Sequence, residues 1–182
     1  MIKTMENAER DAAIRVADSM AAAARTAPKG SGKDKIVTAI LTGEDKDRLS
    51  EIMQKDAEEY NLPFFSRDAN NIKEAHCVVL IGAVSEPFGL SSCGMCGFKN
   101  CAEMKKNNAN CAFNITDLGI AVGSAVSIAA DNRIDNRVMY SAGKSSLKMG
   151  IFPHDVRVCY GIPLWTGAKS IFFDRNPGAV LL

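Results

Sequence analysis

Residues His76–Val84 read HCVVLIGAV, and from Cys77 onward every position is apolar or glycine. A run of this length and character predicts a strand buried on both faces, because a half-exposed strand would alternate apolar with polar residues. Upstream, Lys35–Leu41 (KIVTAIL) reads as a second strand. Between them Asp45–Tyr60 carries Leu49, Ile52, Met53 and Ala57 as a helical stripe on a charged background. Strand, helix and strand in that order predict a layered α/β (α+β) domain.

The flanking segments supply further helices. Glu6–Thr26 is alanine-rich, with Ile14, Val16, Ala17, Met20, Ala21 and Ala24 at spacings suited to packing on a core, and Pro28 and Gly30 end it. Downstream, Asn114 is expected to cap a helix, with Asp117 favouring its exposed amides. Ile115, Leu118, Val122, Ala125 and Ala129 follow at spacings of three and four, and Gly119, Gly123, Ser124 and Ser127 permit a close neighbour. This segment is expected to be the central buried helix. A break is expected at Asn132–Asn136, a polar turn before Val138–Tyr140, and a strand at Val156–Ile162 (VRVCYGI).

The chain has 182 residues, 47% hydrophobic and 24% charged, with a formal net charge of +1. That length predicts one domain over residues 1–182. Dispersed Lys and Arg leave no electrostatic footprint for nucleic acid or an anionic membrane. The longest apolar stretch, Ile120–Ala130, falls short of the ~20 residues that span a bilayer. Glu6, Glu9 and Asp11 stand where a secretory signal would need a basic start. A cytoplasmic protein is expected.

Ser92–Cys101 reads SCGMCGFKNC, and with Cys111 it gives the spacing C-x2-C-x4-C-x9-C. Cys93, Cys96, Cys101 and Cys111 are the candidate metal ligands. An iron-sulfur cluster takes four convergent thiolates, and glycine directly after a cysteine, as at Gly94 and Gly97, avoids crowding and tolerates positive φ. Lys105 and Lys106, between the third and fourth cysteines, would offset the charge of a thiolate-ligated cluster. Zinc is an alternative, although its four-cysteine sites usually arrive as two C-x2-C pairs. Disulfides suit an intracellular chain poorly. Cys111 is the least secure ligand and Cys77 its substitute, while Cys77 and Cys159, each in an apolar run, otherwise read as buried inert thiols. The cluster-binding loop is expected to span residues 87–112.

Lys29–Lys33 (KGSGK) is a basic, glycine-containing turn suited to a phosphate. The plainer reading is an exposed loop that ends a helix. His76 and His154 lack a neighbouring ligand residue, and no nucleophile triad, Walker loop or dinucleotide fingerprint is present.

Two resemblances attach to these residues. Cys93–Cys101 resembles the four-iron motif C-G-x-C-G-x-x-x-C of corrinoid iron-sulfur proteins and related electron-transport subunits. Ala22–Gly30 (AAARTAPKG), Asp117–Ala130 (DLGIAVGSAVSIAA) and Val158–Arg175 (VCYGIPLWTGAKSIFFDR) resemble segments of the flavin-dependent nitroreductase fold. Together they resemble the ferredoxin-domain-containing protein family. The resemblance implies a nitroreductase-like layered domain, a homodimer and a possible FMN, with Arg25, Lys29, Lys33 and Arg175 as candidate phosphate contacts and Trp165, Phe172 and Phe173 as candidate flavin neighbours. The chain departs from the nitroreductase pattern in lacking an N-terminal R-x-x-R cluster. The expected function is redox chemistry on a 4Fe-4S cluster, exchanging electrons with a partner protein or a small-molecule acceptor. The alternative is a non-catalytic assembly module with a structural metal.

Overall fold

In the computed structural model, residues 2–152 and 155–173 are described. The run that opened the sequence reading forms β2 (Cys77–Val84), paired antiparallel on one side with β1 (Ile36–Leu41) and on the other with β4 (Val156–Trp165). A two-residue strand, β3 (Asp135–Asn136), borders β4 and completes the order β1-β2-β4-β3. Successive β2 side chains alternate between two separate cores, as the pleat requires. Cys77, Val79, Ile81 and Ala83 face a core with Ala17, Met20, Leu118, Ala121 and Ala125. Val78 and Leu80 face one with Leu49, Met53, Ile72 and Ala142.

The helices divide accordingly. The first core is covered by α1 (Met5–Thr26) and α5 (Ala112–Asp131), and the second by α2 (Gly43–Glu59), α3 (Pro63–Glu74) and α6 (Tyr140–Ser146). The short α4 (Cys101–Lys106) lies in the cysteine loop between β2 and α5. The expected layered domain is therefore found, with an antiparallel sheet and helices on both faces.

Several boundaries differ from expectation, each for a physical reason. The helix α5 starts at Ala112 with Cys111 at its N-cap, so Asn114 lies inside it. Instead of capping, the Asn114 amide donates to the carbonyls of Val84 (3.0 Å) and Glu86 (2.6 Å), tying α5 to the end of β2. At 20 residues, α5 is longer than the apolar stretch suggested and is by length and composition capable of crossing a membrane; its Leu118, Ala121, Ala125 and Ala129 are buried in the first core. The last strand continues beyond Ile162 to Trp165, because Pro163 faces Val78 on β2 and has no β3 residue opposite it.

Three helices escaped the sequence reading, the short α4 in the cysteine loop among them. The start of α3 is marked by Pro63 in its first turn. The seven residues of α6 (YSAGKSS) include three serines and a glycine, and its anchoring is polar: Ser141 donates to Asp68 (2.6 Å) and Ser145 to Asp56 (2.5 Å). Lys148 donates to the second oxygen of Asp56 (2.5 Å) and to Glu59 (2.9 Å), and these bonds, that to Asp56 first, raise its pKa.

Glycine at position 143 lets α6 lie directly on β4, since a Cβ there would stand 1.9 Å from the Cys159 carbonyl oxygen. Gly143→Ala is expected to destabilise the protein by about 3 kcal/mol or to prevent folding, because backbone rather than a movable side chain blocks the methyl group. Urea unfolding checks this; a midpoint equal to that of wild type would contradict the close approach.

Candidate metal centre

The end of β2 releases a loop whose first anchor is Asn114 and whose last is Cys111, three residues earlier at the N-cap of α5. Within the loop Asn100 caps α4: its side-chain oxygen accepts the Glu103 amide (2.9 Å), and the Glu103 carboxylate accepts the Lys99 amide (2.9 Å) in return. This reciprocal cap fixes the chain on entry to α4, where Cys101 is the first residue. Gly94 and Gly97, each following a cysteine, have φ of +64° and +84°, a region that side-chain-bearing residues rarely adopt. No protein atom lies within 4 Å of a Cβ at either site, so backbone conformation is the reason visible in the protein itself.

Cys93, Cys96, Cys101 and Cys111 all line one cavity, whose other walls include Phe88, Leu90, Phe98, Met104 and Phe113. Cys111 is buried and the other three are half-buried. Cys101 also lies 3.9 Å from the Leu90 carbonyl oxygen, a weak S–H contact. Cys77 faces the core beneath α1 and α5, where burial pushes its thiol up to about 12. Cys159 lies in the opposite core, its thiol pushed by burial up to about 11. Neither lines the cavity.

Among the described residues, no three of His, Cys, Asp and Glu are grouped closely enough to hold a single metal ion. The donor set is four thiols on the walls of an apolar cavity, which fits a thiolate-ligated cluster in type and number.

The basic turn lies against the outside of this cavity. Phe88 and Phe113 stack with centroids 4.8 Å apart, and a Cβ on Gly30 would stand 2.8 Å from the Phe88 ring. The Lys33 ammonium sits 5.1 Å from the Phe88 centroid. The Gly30 amide donates to both oxygens of buried Asp117 (3.2 Å each), so Asp117 secures the turn instead of the first turn of its own helix. Lys29 donates to the carbonyls of Ala24, Arg25 and Ala27 at 3.0, 2.7 and 2.8 Å, which uses all three ammonium hydrogens at the C-terminal end of α1. Arg25 pairs with Asp34 at 2.6 Å and borders a cleft of about 270 Å³ shared with Thr38, Ile151 and Phe152. A phosphate at this turn would have to displace these partners.

Arg175 and His154 lie outside the described residues. His76 stacks on Trp165 at 4.9 Å, with its Nε2 2.7 Å from the Thr166 hydroxyl, and burial lowers its pKa. Phe172 is buried in the second core, and exposed Phe173 lies under Arg137. The sequence reading missed the Phe88–Phe113 wall, whose signal was an aromatic residue just before the first cysteine and another just after the last.

Comparison with known proteins gives consistent results. Residues 107–175 match the family described as "uncharacterized protein containing a ferredoxin domain"; the match includes Cys111 and begins after Cys101. An uncharacterized protein of Archaeoglobus fulgidus is 39% identical over 166 residues, covering 87% of this chain and 89% of its own length. Among solved structures, the FMN-dependent nitroreductase NfnB of Mycobacterium smegmatis, in complex with NADPH, superimposes with a TM-score of 0.57 at 14% identity, over 85% of this chain and 78% of that one. An FMN-dependent nitroreductase of Clostridium difficile gives 0.55 at 17% identity, over 86% and 77%. The fold is thus that of the nitroreductases.

The two classes of cysteine are expected to separate chemically. On metal-free, reduced, folded protein at pH 8, iodoacetamide should label Cys93, Cys96 and Cys101 at least about tenfold faster than Cys77 or Cys159, whose burial disfavours the reactive thiolate. Peptide mass spectrometry reads the order; equal labelling of Cys77 would contradict its place in the core.

Proposed function

Because this chain belongs to the family of uncharacterized proteins containing a ferredoxin domain, we propose that it is a redox protein in which Cys93, Cys96, Cys101 and Cys111 hold one 4Fe-4S cluster. The observation that carries this reading is the convergence of all four cysteines on one cavity while Cys77 and Cys159 face the two cores. When bound, the cluster would supply one-electron transfer. The chain's own residues supply the rest: four thiolate ligands, apolar walls from Phe88, Phe98 and Phe113 that limit water, and Gly94 and Gly97 to turn the loop. Electrons would pass to a partner protein or a small-molecule acceptor. The cytoplasm, where thiols remain reduced, suits such a loop.

Anaerobically purified protein is expected to be brown and to contain iron and sulfide in nearly equal amounts. Cys111→Ser should lose most of the iron and Cys77→Ser should keep it. Stoichiometric zinc without sulfide would overturn the proposal in favour of a redox-silent structural metal.

A second reading adds FMN and a homodimer, favoured by the likeness to FMN-dependent enzymes. Arg25, Lys29, Lys33 and Arg175 are its proposed phosphate contacts. Its proposed dimer interface is the exposed face of α5, where Gly119, Ile120, Gly123 and Ser127 form a stripe of small and apolar residues. Titration with FMN tests the first part: flavin fluorescence should be quenched, and quenching should weaken at least about tenfold in Lys29→Ala/Lys33→Ala if these ammonium groups leave their partners for the phosphate. Sedimentation tests the second, with a stable monomer at micromolar concentration counting against the dimer.

A further inference from the structure

The loop that carries the cysteines also carries a basic rim. Lys99, Lys105 and Lys106 are exposed, as is Lys33 on the adjoining turn, and none has an ion-pair partner among the described residues. Of the nearby carboxylates, Glu86 pairs with Lys35 and Asp155 with Arg157, which leaves Glu103, bonded to the neutral Lys99 amide, as one negative charge among the four lysines. The field of this rim registers at Glu86, whose pKa is held low by its hydrogen bond and charge interaction with Lys35, with Lys105 and Lys33 acting in the same direction. Lys105 and Arg157 also border a shared cleft of about 230 Å³ beside the loop, with Met104 in common with the cysteine cavity.

Two large apolar side chains on the same loop are exposed. Leu90, a cavity-lining residue, is 42% exposed, and Met95, between Cys93 and Cys96, is 59% exposed. Both stand in water on the loop that carries the cysteines. An apolar centre with a charged rim is the anatomy of a transient interface: the rim steers encounter, and the centre gains by burial. A small-molecule acceptor would not require such a surface.

We propose that Leu90 and Met95, rimmed by Lys33, Lys99, Lys105 and Lys106, form the docking surface for an acidic electron-transfer protein. The inference rests on the cluster reading, since it explains why the surface surrounds the four cysteines. In the exchange itself one electron passes between the cluster and the partner's redox centre, one being oxidised as the other is reduced, with no bond made or broken.

The test uses cluster-containing protein whose iron and sulfide have been measured first, so that loss of the cluster reading is seen before docking is assayed. An oxidised, acidic plant-type ferredoxin serves as the probe and basic cytochrome c as the control, with binding followed by calorimetry. Binding of the acidic probe is expected at about 0.01 M ionic strength and should weaken at least about tenfold at 0.15 M, where the screening length has fallen to about 8 Å. Lys105→Gln/Lys106→Gln and, separately, Met95→Asp should each weaken it at least about tenfold at low salt, with iron content and visible spectrum unchanged. Cytochrome c should not bind. No binding of the acidic probe by the wild type, binding indifferent to salt, or variants that bind like wild type would overturn the proposal. Variants that bind normally but shift the cluster's midpoint potential would assign the lysines to local charge balance instead.

Discussion

The architecture follows from one constraint: β2 has no face that meets water. Val78, Val79, Leu80 and Ile81 are all at 0% exposure, and burying each such side chain is worth about 1.5–3 kcal/mol. That gain is available only if both faces of the strand are covered, so the helices must divide into α1 with α5 and α2 with α3 and α6. The ends of β2 then have limited places to go. Its C-terminal end emerges between the layers, and Asn114 grips the carbonyls of Val84 and Glu86 there, so the segment that follows begins from a rigid edge.

Polar side chains do much of the remaining work of joining layers, and they do it at helix ends. Lys29 closes the C-terminal end of α1, and buried Lys46 does the same for α3 by donating to the carbonyls of Ile72 (3.1 Å) and Lys73 (2.7 Å). Asp56 and Asp68, both buried, receive the hydroxyls of α6, and Lys148 or Arg67 supplies the compensating charge. Removing one member of such a set would leave an unpaired group in a low-dielectric interior, which is why these residues act as structural joints.

This division explains what could be read from the chain. The helix α1 and the strands β1 and β2 announce themselves through local apolar patterns, and Val16, Ala17, Met20 and Ala24 of α1 are buried as its pattern selects, although Ala13 is buried too and Ile14 and Ala21 are only partly so. The grouping of the four cysteines was legible because residue type and spacing are local, and the structure places all four on the walls of one cavity. By contrast, α6 is held by carboxylates 73 and 89 residues away, and its serines carry no apolar pattern. What holds the basic turn was hidden for the same reason: Asp117, which accepts the Gly30 amide, lies 87 residues further along the chain. The Phe88–Phe113 stack likewise joins residues on either side of the cysteine loop, and only the folded chain shows them as a wall.

The hydrophobic cluster around the cysteines is separate from the two main cores, and its buried members are only Phe88, Met104 and Cys111. So small an apolar nucleus contributes little to the cooperativity of the sheet and its helices. A ligand held by this loop would stabilise a segment that has few buried apolar contacts of its own, separately from the two main cores. Were the proposed cluster held there, its loss would be expected to show first as proteolytic sensitivity between β2 and α5, while the two main cores keep the rest of the chain folded.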